Sequence, residues 1–553
     1  MSLARHATLV ARHVTKSFGP HLVLDDVSFT IAPRSRIGIV APNGTGKTTL
    51  LRILAGAGEP DAGSVERTPP TATVGYLPQE ADRREGETLR GFLARRTGVT
   101  DAIDAFEAAS AALANGVEGA DDAYTNALDQ YLALGAADFD ARVGDVCADV
   151  GLPEHLLDVA TVALSGGQAA RASLAAILLS RFDVFLLDEP TNDLDFAGLD
   201  RLERFLRELP GGVVIVSHDR SFLDHTITSV LELDEHSHRT SEFAGGWSAY
   251  LDERAIARRH AEEAYADYQN KRGDLVDRAQ RQRQWAQVGV GKVKRSGETD
   301  KFIRHFRTQS SEHVAAKAKI TDRALERLEG DAVDKPWESW ELRMEIATAP
   351  RSGAVVARLD RAVVQRGSFT LGPVDLEIGW QERVAILGPN GSGKSTLLHA
   401  LLGRLELAAG ERWMGPGVVV GELAQARSRF GDRPLLEAFE AESGLLARDA
   451  RALLAKFGLG ADHVTRAAAT LSPGERTRAE LALFMARGVN CLVLDEPTNH
   501  LDLPAIEQLE SALESYDGTL LLVTHDRTLF DAVRITRTVE IAGGKITADR
   551  ALT

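Results

Sequence analysis

The sequence has little cysteine and no long uninterrupted apolar run. Its two cysteines, Cys147 and Cys491, form no Cys-x-x-Cys pair and no disulfide framework, which suits a reducing compartment. No apolar stretch reaches the roughly 18 residues that a membrane helix requires, so fused membrane domains are excluded. The segment from Met1 to Phe18 lacks the apolar core of a signal peptide. We therefore expect a cytoplasmic protein without a membrane segment.

Two segments carry the pattern of a phosphate-binding loop. They read APNGTGKT from Ala41 to Thr48 and GPNGSGKS from Gly388 to Ser395. In such a loop, backbone N–H groups hold the β- and γ-phosphates, the lysine meets their charge, and the Ser or Thr hydroxyl binds Mg²⁺. Two loops predict two bound ATP molecules. The predicted ATP contacts are Asn43, Gly44, Gly46, Lys47, Thr48 and Thr49 in the first copy and Asn390, Gly391, Gly393, Lys394, Ser395 and Thr396 in the second.

Each loop is followed by an apolar run that ends in two acids, VFLLDE ending at Glu189 and CLVLDE ending at Glu496. These runs predict buried parallel strands with carboxylates at their C-terminal ends, where α/β sheets hold their ligands. We expect Asp188 and Asp495 to orient Mg²⁺ or its waters. The two glutamates would then polarise the attacking water.

A histidine follows each glutamate at the same spacing in the two copies. His218 stands in VSHDR and His525 stands in VTHDR, each after an apolar run that predicts a strand. At a strand end each imidazole can reach a γ-phosphate, and the matched contexts favour a catalytic role over a structural one. We predict four catalytic residues, namely these histidines with Glu189 and Glu496.

A third repeated element stands between each loop and its acid pair. It reads LSGGQ in the first copy and LSPGE in the second, and its candidate ATP contacts are Ser165, Gly166, Gly167, Gln168, Ser472, Gly474 and Glu475. A serine and small residues at a helix N-terminus form an anion seat through free N–H groups and the helix dipole. Because it lies twice between a phosphate loop and an Asp-Glu strand, this element resembles the ABC ATPase signature.

The resemblance to ABC cassettes covers residues 8 to about 240 and about 354 to 545. It implies an α/β fold with two P-loop ATPase domains that pair head to tail within one chain. In that arrangement Lys47 shares one ATP with Ser472, and Lys394 shares the other with Ser165. We therefore expect a monomer with two composite ATP sites.

The resemblance also assigns single positions outside these motifs. Gln79 and Gln425 match glutamines that contact Mg²⁺, and Phe18 matches the aromatic residue that stacks on adenine. In the second cassette Arg366 stands where that aromatic residue is expected, and a guanidinium can stack on a base in its place.

A long charged connector joins the two cassettes. Residues 247–288 contain no proline and one glycine, which predicts a helix of about 40 residues, and the glycines of residues 289–309 predict a break. Residues 310–329 again have helical composition, so we expect an α-hairpin with its tip at about 287–299. From Arg278 to Lys319 there are eleven Lys and Arg residues against three acids, although the whole chain has a net charge of −16. A basic segment on an acidic chain predicts contact with a polyanion.

Twin cassettes, no membrane segment and such a connector resemble the ABC-F family. The resemblance implies a ribosomal partner, with rRNA, tRNA and ribosomal proteins in contact near the exit-tRNA site. It divides the chain into a first ATPase domain (1–245), a linker (246–345) and a second ATPase domain (346–553). The candidate RNA contacts are Arg281, Arg283, Lys292, Lys294, Arg295, Lys301, Arg304 and Arg307.

The first cassette carries an acidic insertion at about 95–147. Residues 101–145 hold ten acids and a single arginine, with alanine-rich stretches. This composition predicts a helical arm, for which a basic ribosomal protein is a better partner than RNA. An ordinary elaboration of the cassette's helical subdomain is the equal alternative.

Two hypotheses of function follow from these patterns. The first is an ATP hydrolase that modulates translation on the ribosome, either as a translation factor or by displacing ribosome-targeting antibiotics, and we favour displacement. The alternative is the nucleotide-binding subunit of an ABC transporter with separate membrane domains. The alternative leaves the basic connector unexplained.

The two sites are predicted to hydrolyse ATP at unequal rates. Pro473 and Glu475 alter the second signature, and Asp193 stands where His500 stands in the other copy. We expect the single variants Glu189→Gln and Glu496→Gln to lose different fractions of steady-state ATPase turnover. Identical losses would contradict this prediction.

Overall fold

The computed structural model describes residues 7–78, 83–235, 237–295, 320–330, 353–367, 369–423, 430–499 and 501–552. The chain folds into two compact units. One unit comprises Met1–Ser248 and Leu342–Thr553 and holds both cassettes, and the other comprises Ala249–Glu341. Each unit is described by itself below.

The first cassette alternates strands and helices along the chain. Its strands are β1 (Thr8–Phe18), β2 (His21–Ile31), β3 (Arg36–Val40), β4 (Ala62–Thr68), β5 (Val74–Leu77), β6 (Val184–Asp188), β7 (Gly212–Val216), β8 (Ser229–Leu233) and β9 (Thr240–Ala244). Its helices are α1 (Lys47–Ala55), α2 (Leu89–Arg96), α3 (Val99–Ala114), α4 (Ala120–Ala133), α5 (Phe139–Asp149), α6 (Gly166–Leu179), α7 (Phe196–Glu208) and α8 (Arg220–Thr226).

The second cassette repeats this order. Its strands are β10 (Val355–Arg366), β11 (Phe369–Gly379), β12 (Arg383–Leu387), β13 (Ala409–Met414), β14 (Val420–Leu423), β15 (Cys491–Asp495), β16 (Thr519–Val523), β17 (Arg537–Ala542) and β18 (Lys545–Ala551). The connector between the cassettes contains α9 (Trp247–Arg295) and α10 (320–330). The helices of the second cassette are α11 (Lys394–Leu401), α12 (Leu435–Ser443), α13 (Ala447–Lys456), α14 (Ala461–Thr465), α15 (Pro473–Ala486), α16 (Leu503–Glu514) and α17 (Arg527–Ala532).

A mixed six-stranded sheet forms the centre of each cassette. The strand orders are β5-β6-β7-β3-β8-β9 and β14-β15-β16-β12-β17-β18, parallel except at the last strand of each. Strands β6, β7 and β16 are buried along their whole length, as expected for a sheet covered on both faces. A three-stranded antiparallel sheet packs beside each centre, in the orders β2-β1-β4 and β11-β10-β13. The predicted α/β fold of two P-loop domains is confirmed.

This topology gathers the repeated motifs at one edge of each sheet. Strands β3, β6 and β7 are neighbours and run parallel, so their C-terminal ends lie side by side. The phosphate loop follows β3, the Asp-Glu pair ends β6, and His218 follows β7. Strands β12, β15 and β16 place the second set in the same way.

The connector helix is longer than the sequence predicts. Helix α9 covers 49 residues and runs through Gly289 and Gly291 to Arg295, so the break expected at these glycines is wrong. A single glycine costs a helix about 1 kcal/mol relative to alanine, and the glutamines, lysines and arginine around it favour the helix. The predicted tip is therefore helical over residues 287–295, and residues 296–299 lie outside the described residues. Arg272 of α9 and Glu329 of α10 form an ion pair at 3.2 Å, so the two helices meet side by side there.

The acidic insertion of the first cassette is helical. Helices α3 and α4 pack against each other, with the ring of Phe106 5.4 Å from Tyr124 and 5.0 Å from Tyr131 between centroids. Its partner stays a prediction. Across the described ranges, we find no helix that combines the length and the apolar composition needed to cross a bilayer.

An arginine at the start of each central strand, buried in the first cassette and half-buried in the second, holds the following helices in place. Arg36 donates to the carbonyls of Leu206, Leu209 and Gly211 at 2.9, 2.5 and 2.7 Å. Arg383 serves the second cassette in the same way, donating to carbonyls at the C-terminal ends of α16 and α17. Burial lowers the pKa of the Arg36 guanidinium, and the three carbonyl bonds offset part of that desolvation.

Replacing Arg36 by methionine is expected to destabilise the first cassette by about 2–4 kcal/mol, because buried carbonyls lose their donors. Denaturant unfolding followed by intrinsic fluorescence measures this change. The control is Arg12→Met, since Arg12 pairs with Glu66 while both side chains are more than half exposed. Equal small shifts for the two variants would contradict the prediction.

Candidate functional site

The first phosphate loop wraps around a buried lysine. Lys47 begins α1, is 8% exposed, and donates from Nζ to the carbonyls of Ala41 and Pro42 at 2.8 and 3.0 Å. Gly46 has a φ of 107°, and a Cβ there would lie 2.5 Å from Val23 Cγ1. Only glycine fits this position without strain, so the loop stays close to strand β2. Its backbone N–H groups and Lys47 form a seat for an anion.

The side chain of Thr48 is joined to the acid that ends β6. Thr48 Oγ1 donates to Asp188 Oδ2 at 2.9 Å, and the Tyr76 hydroxyl donates to the same oxygen at 3.2 Å. Burial raises the pKa of Asp188. Hydroxyl and carboxylate oxygens are the ligands that Mg²⁺ prefers, so this pair fits that ion. Tyr76, which no sequence motif singles out, lies on β5 beside Leu186 of β6.

Each predicted catalytic glutamate sits in a left-handed backbone conformation. Glu189 has a φ of 51° and Glu496 a φ of 50°, although both residues carry a side chain. Their N–H groups donate to Val216 and Val523 at 2.8 and 2.9 Å, which keeps the backbone tied to the next strand. Such strain persists only where the surroundings fix it, and it occurs most at functional sites.

The glutamate and the histidine of each copy lie side by side. His218 Nε2 is 3.1 Å from Glu189 Oε1, and His525 Nε2 is 3.3 Å from Glu496 Oε1. Burial raises the pKa of Glu189, and it raises the pKa of Glu496 to about 7. Burial lowers the pKa of His218 to about 3 and that of His525 to about 4. Each glutamate can therefore take up or release a proton near neutral pH, while the imidazole beside it stays neutral.

The second phosphate loop repeats the first and adds a contact to the histidine. Lys394 Nζ donates to the Gly388 carbonyl at 2.8 Å and lies 3.0 Å from His525 Nε2. Ser395 follows Lys394 on α11, and Asp495 ends β15. The structure thus brings together the predicted lysine, histidine and glutamate of the second copy.

Both signature serines cap the helices that follow them. Ser165 Oγ accepts from the Gln168 N–H at 3.3 Å, and the Gln168 side chain accepts from the Ser165 N–H at 2.9 Å. Ser472 and Glu475 form the same capping box at 3.2 and 2.8 Å. A capping box fixes the N-terminal turn of a helix, and here it presents that turn as a rigid anion seat.

The altered second signature carries a local charge balance. Glu475 Oε1 lies 3.2 Å from His463 Nε2 and 3.5 Å from Arg466 Nη1. The Arg466 guanidinium opposes the carboxylate that replaces the neutral Gln168 of the first copy, and the His463 imidazole contacts the same oxygen. The sequence motifs do not single out His463 or Arg466, because these residues precede the signature and lie on a separate helix and loop.

The two cassettes meet through the aspartates that end the Asp-Glu-Pro-Thr-Asn segments. Asp195 Oδ2 accepts from the Asn390 N–H of the opposite phosphate loop at 3.1 Å, and Asp502 Oδ2 accepts from the Asn43 N–H at 3.2 Å. The other oxygen of each aspartate caps its own helix, accepting from Gly198 and Ala505 at 2.9 and 3.2 Å. Each aspartate therefore bonds its own cassette and the other one at the same time.

The first signature faces the second phosphate loop. A Cβ at Gly167 would lie 3.2 Å from Asn390 Cβ, so the two backbones approach closely. A cavity of about 650 Å³ lies between them and is lined by Gly166, Asn390, Gly391 and Glu496, among others. This placement is the head-to-tail arrangement expected from the sequence for Lys394 and Ser165. We refer to the two composite sites as the Lys394 site and the Lys47 site.

Arginines after the two histidines bridge the cassettes. Arg220 Nη2 donates to Glu510 Oε1 at 2.6 Å, with side chains 14% and 12% exposed. Arg527 Nη2 donates to Asp200 Oδ1 at 2.7 Å, and its Nη1 lies 3.5 Å from Glu203 Oε1. Both glutamates lie on the helix that follows the bridging aspartate of the opposite cassette.

The remaining predicted contacts divide into described and undescribed residues. Phe18 is 56% exposed at the end of β1 and lines a cavity of about 480 Å³ with Lys47 and Thr48. Arg281 is exposed on α9, and Arg366 is exposed at the end of β10. Outside the described residues lie Gln79, Gln425, His500, Lys301, Arg304 and Arg307, and also the side chains of Arg283, Lys292, Lys294, Arg295 and Pro473.

Comparisons with known proteins agree with this geometry. The model of the ABC transporter family matches residues 24–192 and 371–499. The tylosin resistance ATP-binding protein TlrC of Streptomyces fradiae is 38% identical over 93% of this chain and 94% of its own length. ABC transporter F family member 5 of Arabidopsis thaliana is 31% identical, over 96% and 74% of the two chains. The energy-dependent translational throttle protein EttA of Mycobacterium tuberculosis is 31% identical, over 94% and 89%.

A solved structure supports the fold alone. The archaeal ribosome recycling factor aABCE1, crystallised with the stalk protein aP1, superposes with a TM-score of 0.55. The superposition covers 100% of this chain and 91% of that chain, at 19% sequence identity. Two cassettes in one chain therefore recur in a distant protein.

The buried Arg220–Glu510 pair is expected to couple the cassettes energetically. We predict that the losses in free energy of unfolding caused by Arg220→Met and by Glu510→Gln add up to more than the loss caused by the double variant. The reason is that each single change leaves one largely buried charge unpaired. A double-mutant cycle by denaturant unfolding should give a coupling energy of about 1–3 kcal/mol. Additive effects of the two changes would count against a direct interaction.

Proposed function

The chain belongs to the ABC-F family of twin-cassette ABC ATPases, and from this membership we propose that it acts on the ribosome near the exit-tRNA site. It hydrolyses ATP at two composite sites. The proposed result of each ATP cycle is a changed state of the ribosome.

The observation that carries the proposal is the basic connector. Eleven Lys and Arg residues against three acids stand between Arg278 and Lys319, in a chain with a net charge of −16. Helix α9 alone covers 49 residues, which at 1.5 Å per residue is about 70 Å. A long helix whose basic residues gather from Arg278 onward suits a buried RNA surface that a cassette itself cannot reach. The transporter alternative leaves this charge unexplained, so it is less supported.

The catalytic groups divide the chemistry of hydrolysis between them. Lys47 and Lys394, with the N–H groups of their loops, would hold the β- and γ-phosphates, and the capped signature helix of the opposite cassette would close on the γ-phosphate. Glu189 and Glu496 would accept a proton from the attacking water, while neutral His218 and His525 would donate to or orient the γ-phosphate. Mg²⁺, when bound, supplies charge neutralisation between the phosphates. Thr48, Asp188, Ser395 and Asp495 would hold it in the two sites.

ATP binding would favour the paired arrangement of the cassettes. A nucleotide contacts the phosphate loop of one cassette and the signature of the other only when the two are paired, so binding shifts the population towards closure. Asp195 and Asp502 support the same state through their bonds to the opposite loops. Both ends of the connector are joined covalently to the cassettes. We propose that closure and reopening set how long the connector stays on the ribosome.

We propose antibiotic displacement as the outcome of this cycle. The relative with 38% identity over 93% of the chain is named for tylosin resistance, and tylosin is therefore the first drug to test. Cells that carry the gene should grow at higher tylosin concentrations than cells that carry the double variant Glu189→Gln/Glu496→Gln. Equal susceptibility of the two strains would support the translation-factor alternative instead.

Ribosome binding is tested by cosedimentation through sucrose. The double variant Glu189→Gln/Glu496→Gln with ATP should pellet with ribosomes, because it closes without hydrolysing, whereas the same variant without ATP should stay in the supernatant. Raising the salt should release the bound fraction, since phosphate contacts weaken steeply with ionic strength. Failure of the ATP-loaded variant to pellet at low salt would overturn the proposal.

The pKa of Glu496 predicts a pH dependence for the Lys394 site. Burial raises this pKa to about 7, and a general base acts only when ionised. In the Glu189→Gln background, which leaves the Lys394 site active, kcat/KM should therefore rise with pH up to about 7 and level off above it. A profile that is flat from pH 5.5 to 8 would show that another group takes the proton.

A further inference from the structure

An aromatic ring of the first cassette lies against the catalytic histidine of the second. The ring centroids of Phe196 and His525 are 5.3 Å apart at an interplanar angle of 78°, an edge-to-face contact. Phe196 begins α7 directly after Asp195, whose carboxylate accepts from the Asn390 N–H. The hydrogen bond between Asn390 and Asp195 therefore also helps to fix the position of the Phe196 ring.

An arginine of the second cassette also contacts the Phe196 ring. The guanidinium carbon of Arg527 lies 5.8 Å from the Phe196 ring centroid, within the range of a cation–π contact. Arg527 is itself bound to Asp200 and Glu203 of α7. Phe196 thus contacts two residues of the His525-Asp526-Arg527 segment, and both contacts cross between the cassettes.

Small movements of His525 would disturb two catalytic contacts at once. Its Nε2 lies 3.0 Å from Lys394 Nζ and 3.3 Å from Glu496 Oε1. The ring is largely enclosed, so its orientation is set by the groups that pack on it. Phe196 supplies an apolar contact to the imidazole and has no polar atom that competes for its nitrogens.

The Lys47 site differs at the equivalent position. Leu503 follows Asp502 and begins α16, as Phe196 follows Asp195 and begins α7. A leucine side chain has no ring and offers no edge-to-face contact to His218. The sequence thus provides a natural comparison, in which one site has an aromatic residue at this position and the other an aliphatic one.

We propose that Phe196 is a positioning residue for His525, supplied by the opposite cassette, so that hydrolysis at the Lys394 site depends on closure more strongly than hydrolysis at the Lys47 site. The inference rests on the two-site ATPase activity and not on ribosome binding. The Phe196 contact is a second structural reason, besides the altered signature at Ser472, for the predicted difference in hydrolysis rate between the two sites. It also predicts that the Lys394 site loses ATP hydrolysis more readily than the Lys47 site when the cassettes separate.

The test uses backgrounds in which one site is inactive. In the Glu189→Gln background, Phe196→Leu should lower kcat of the purified chain about tenfold, because a misplaced catalytic group costs rate rather than binding, and KM should change less than twofold. In the Glu496→Gln background, which leaves the Lys47 site, the same change should alter kcat less than twofold. Phe196→Leu introduces the residue type that the other cassette has at the equivalent position, Leu503, so the side chain stays apolar while the ring is removed.

Phe196→Tyr separates positioning from folding. The ring lines a cavity of about 320 Å³, so a tyrosine hydroxyl can be accommodated, and this variant should retain at least half of kcat in the Glu189→Gln background. Equal losses in the two backgrounds, a loss carried by KM, or the same loss for tyrosine as for leucine would overturn the proposal. If Phe196→Leu fails to fold, the tyrosine variant and Phe196→Met, in the same two backgrounds, decide by the same criteria. Ribosomes are absent from these assays, so a failure of ribosome binding would leave the result unaffected.

Discussion

Two aspartates, Asp195 and Asp502, carry the geometry on which both sites depend. Each uses one carboxylate oxygen to cap its own helix and the other to accept from the phosphate loop of the opposite cassette. An aspartate that accepts one N–H on each oxygen links two backbone segments through directional hydrogen bonds. The phosphate loop of one cassette is therefore fixed relative to the helix that follows the catalytic glutamate of the other. Nucleotide binding, catalysis and closure of the cassettes therefore all involve the two hydrogen bonds that these aspartates accept from the opposite phosphate loops.

The paired cassettes are similar in plan and different in chemistry. The ion pairs of Arg220 and Arg527 occupy matching positions, yet the first is a single buried pair and the second reaches two acids. The Lys394 site has a neutral signature and an aromatic ring on its histidine. The Lys47 site has Glu475, whose carboxylate contacts His463 and Arg466. The two sites therefore have different electrostatic surroundings, and from this difference we expect their hydrolysis rates to differ.

Much of the fold and site was predictable from sequence, because the motifs are local. A phosphate loop, an acid pair after an apolar strand and a signature serine each act within a few residues, and parallel strands bring their ends together in a known way. Lys47, Asp188 and Glu189 accordingly lie where the sequence placed them. The break expected at Gly289 failed for a physical reason, since two separated glycines cost less than a long helix of favourable residues gains.

Residues that act across the cassettes were not predictable. Phe196 and Arg220 stand beside recognised motifs, but their partners lie far away in sequence and on the other cassette. Tyr76 was missed because its role depends on the pairing of β5 with β6. A single sequence shows which residues are repeated, and it does not show which repeated positions touch.

The most direct test of the account is disulfide formation between Gly167→Cys and Asn390→Cys. A Cβ at Gly167 would lie 3.2 Å from Asn390 Cβ, close to the separation of a disulfide, and the native cysteines are buried. The account predicts rapid oxidation with ATP in the Glu189→Gln/Glu496→Gln background, and slow oxidation without nucleotide, as measured by mobility on a non-reducing gel. Equal rates with and without ATP would contradict the claim that nucleotide binding assembles the sites by pairing the cassettes.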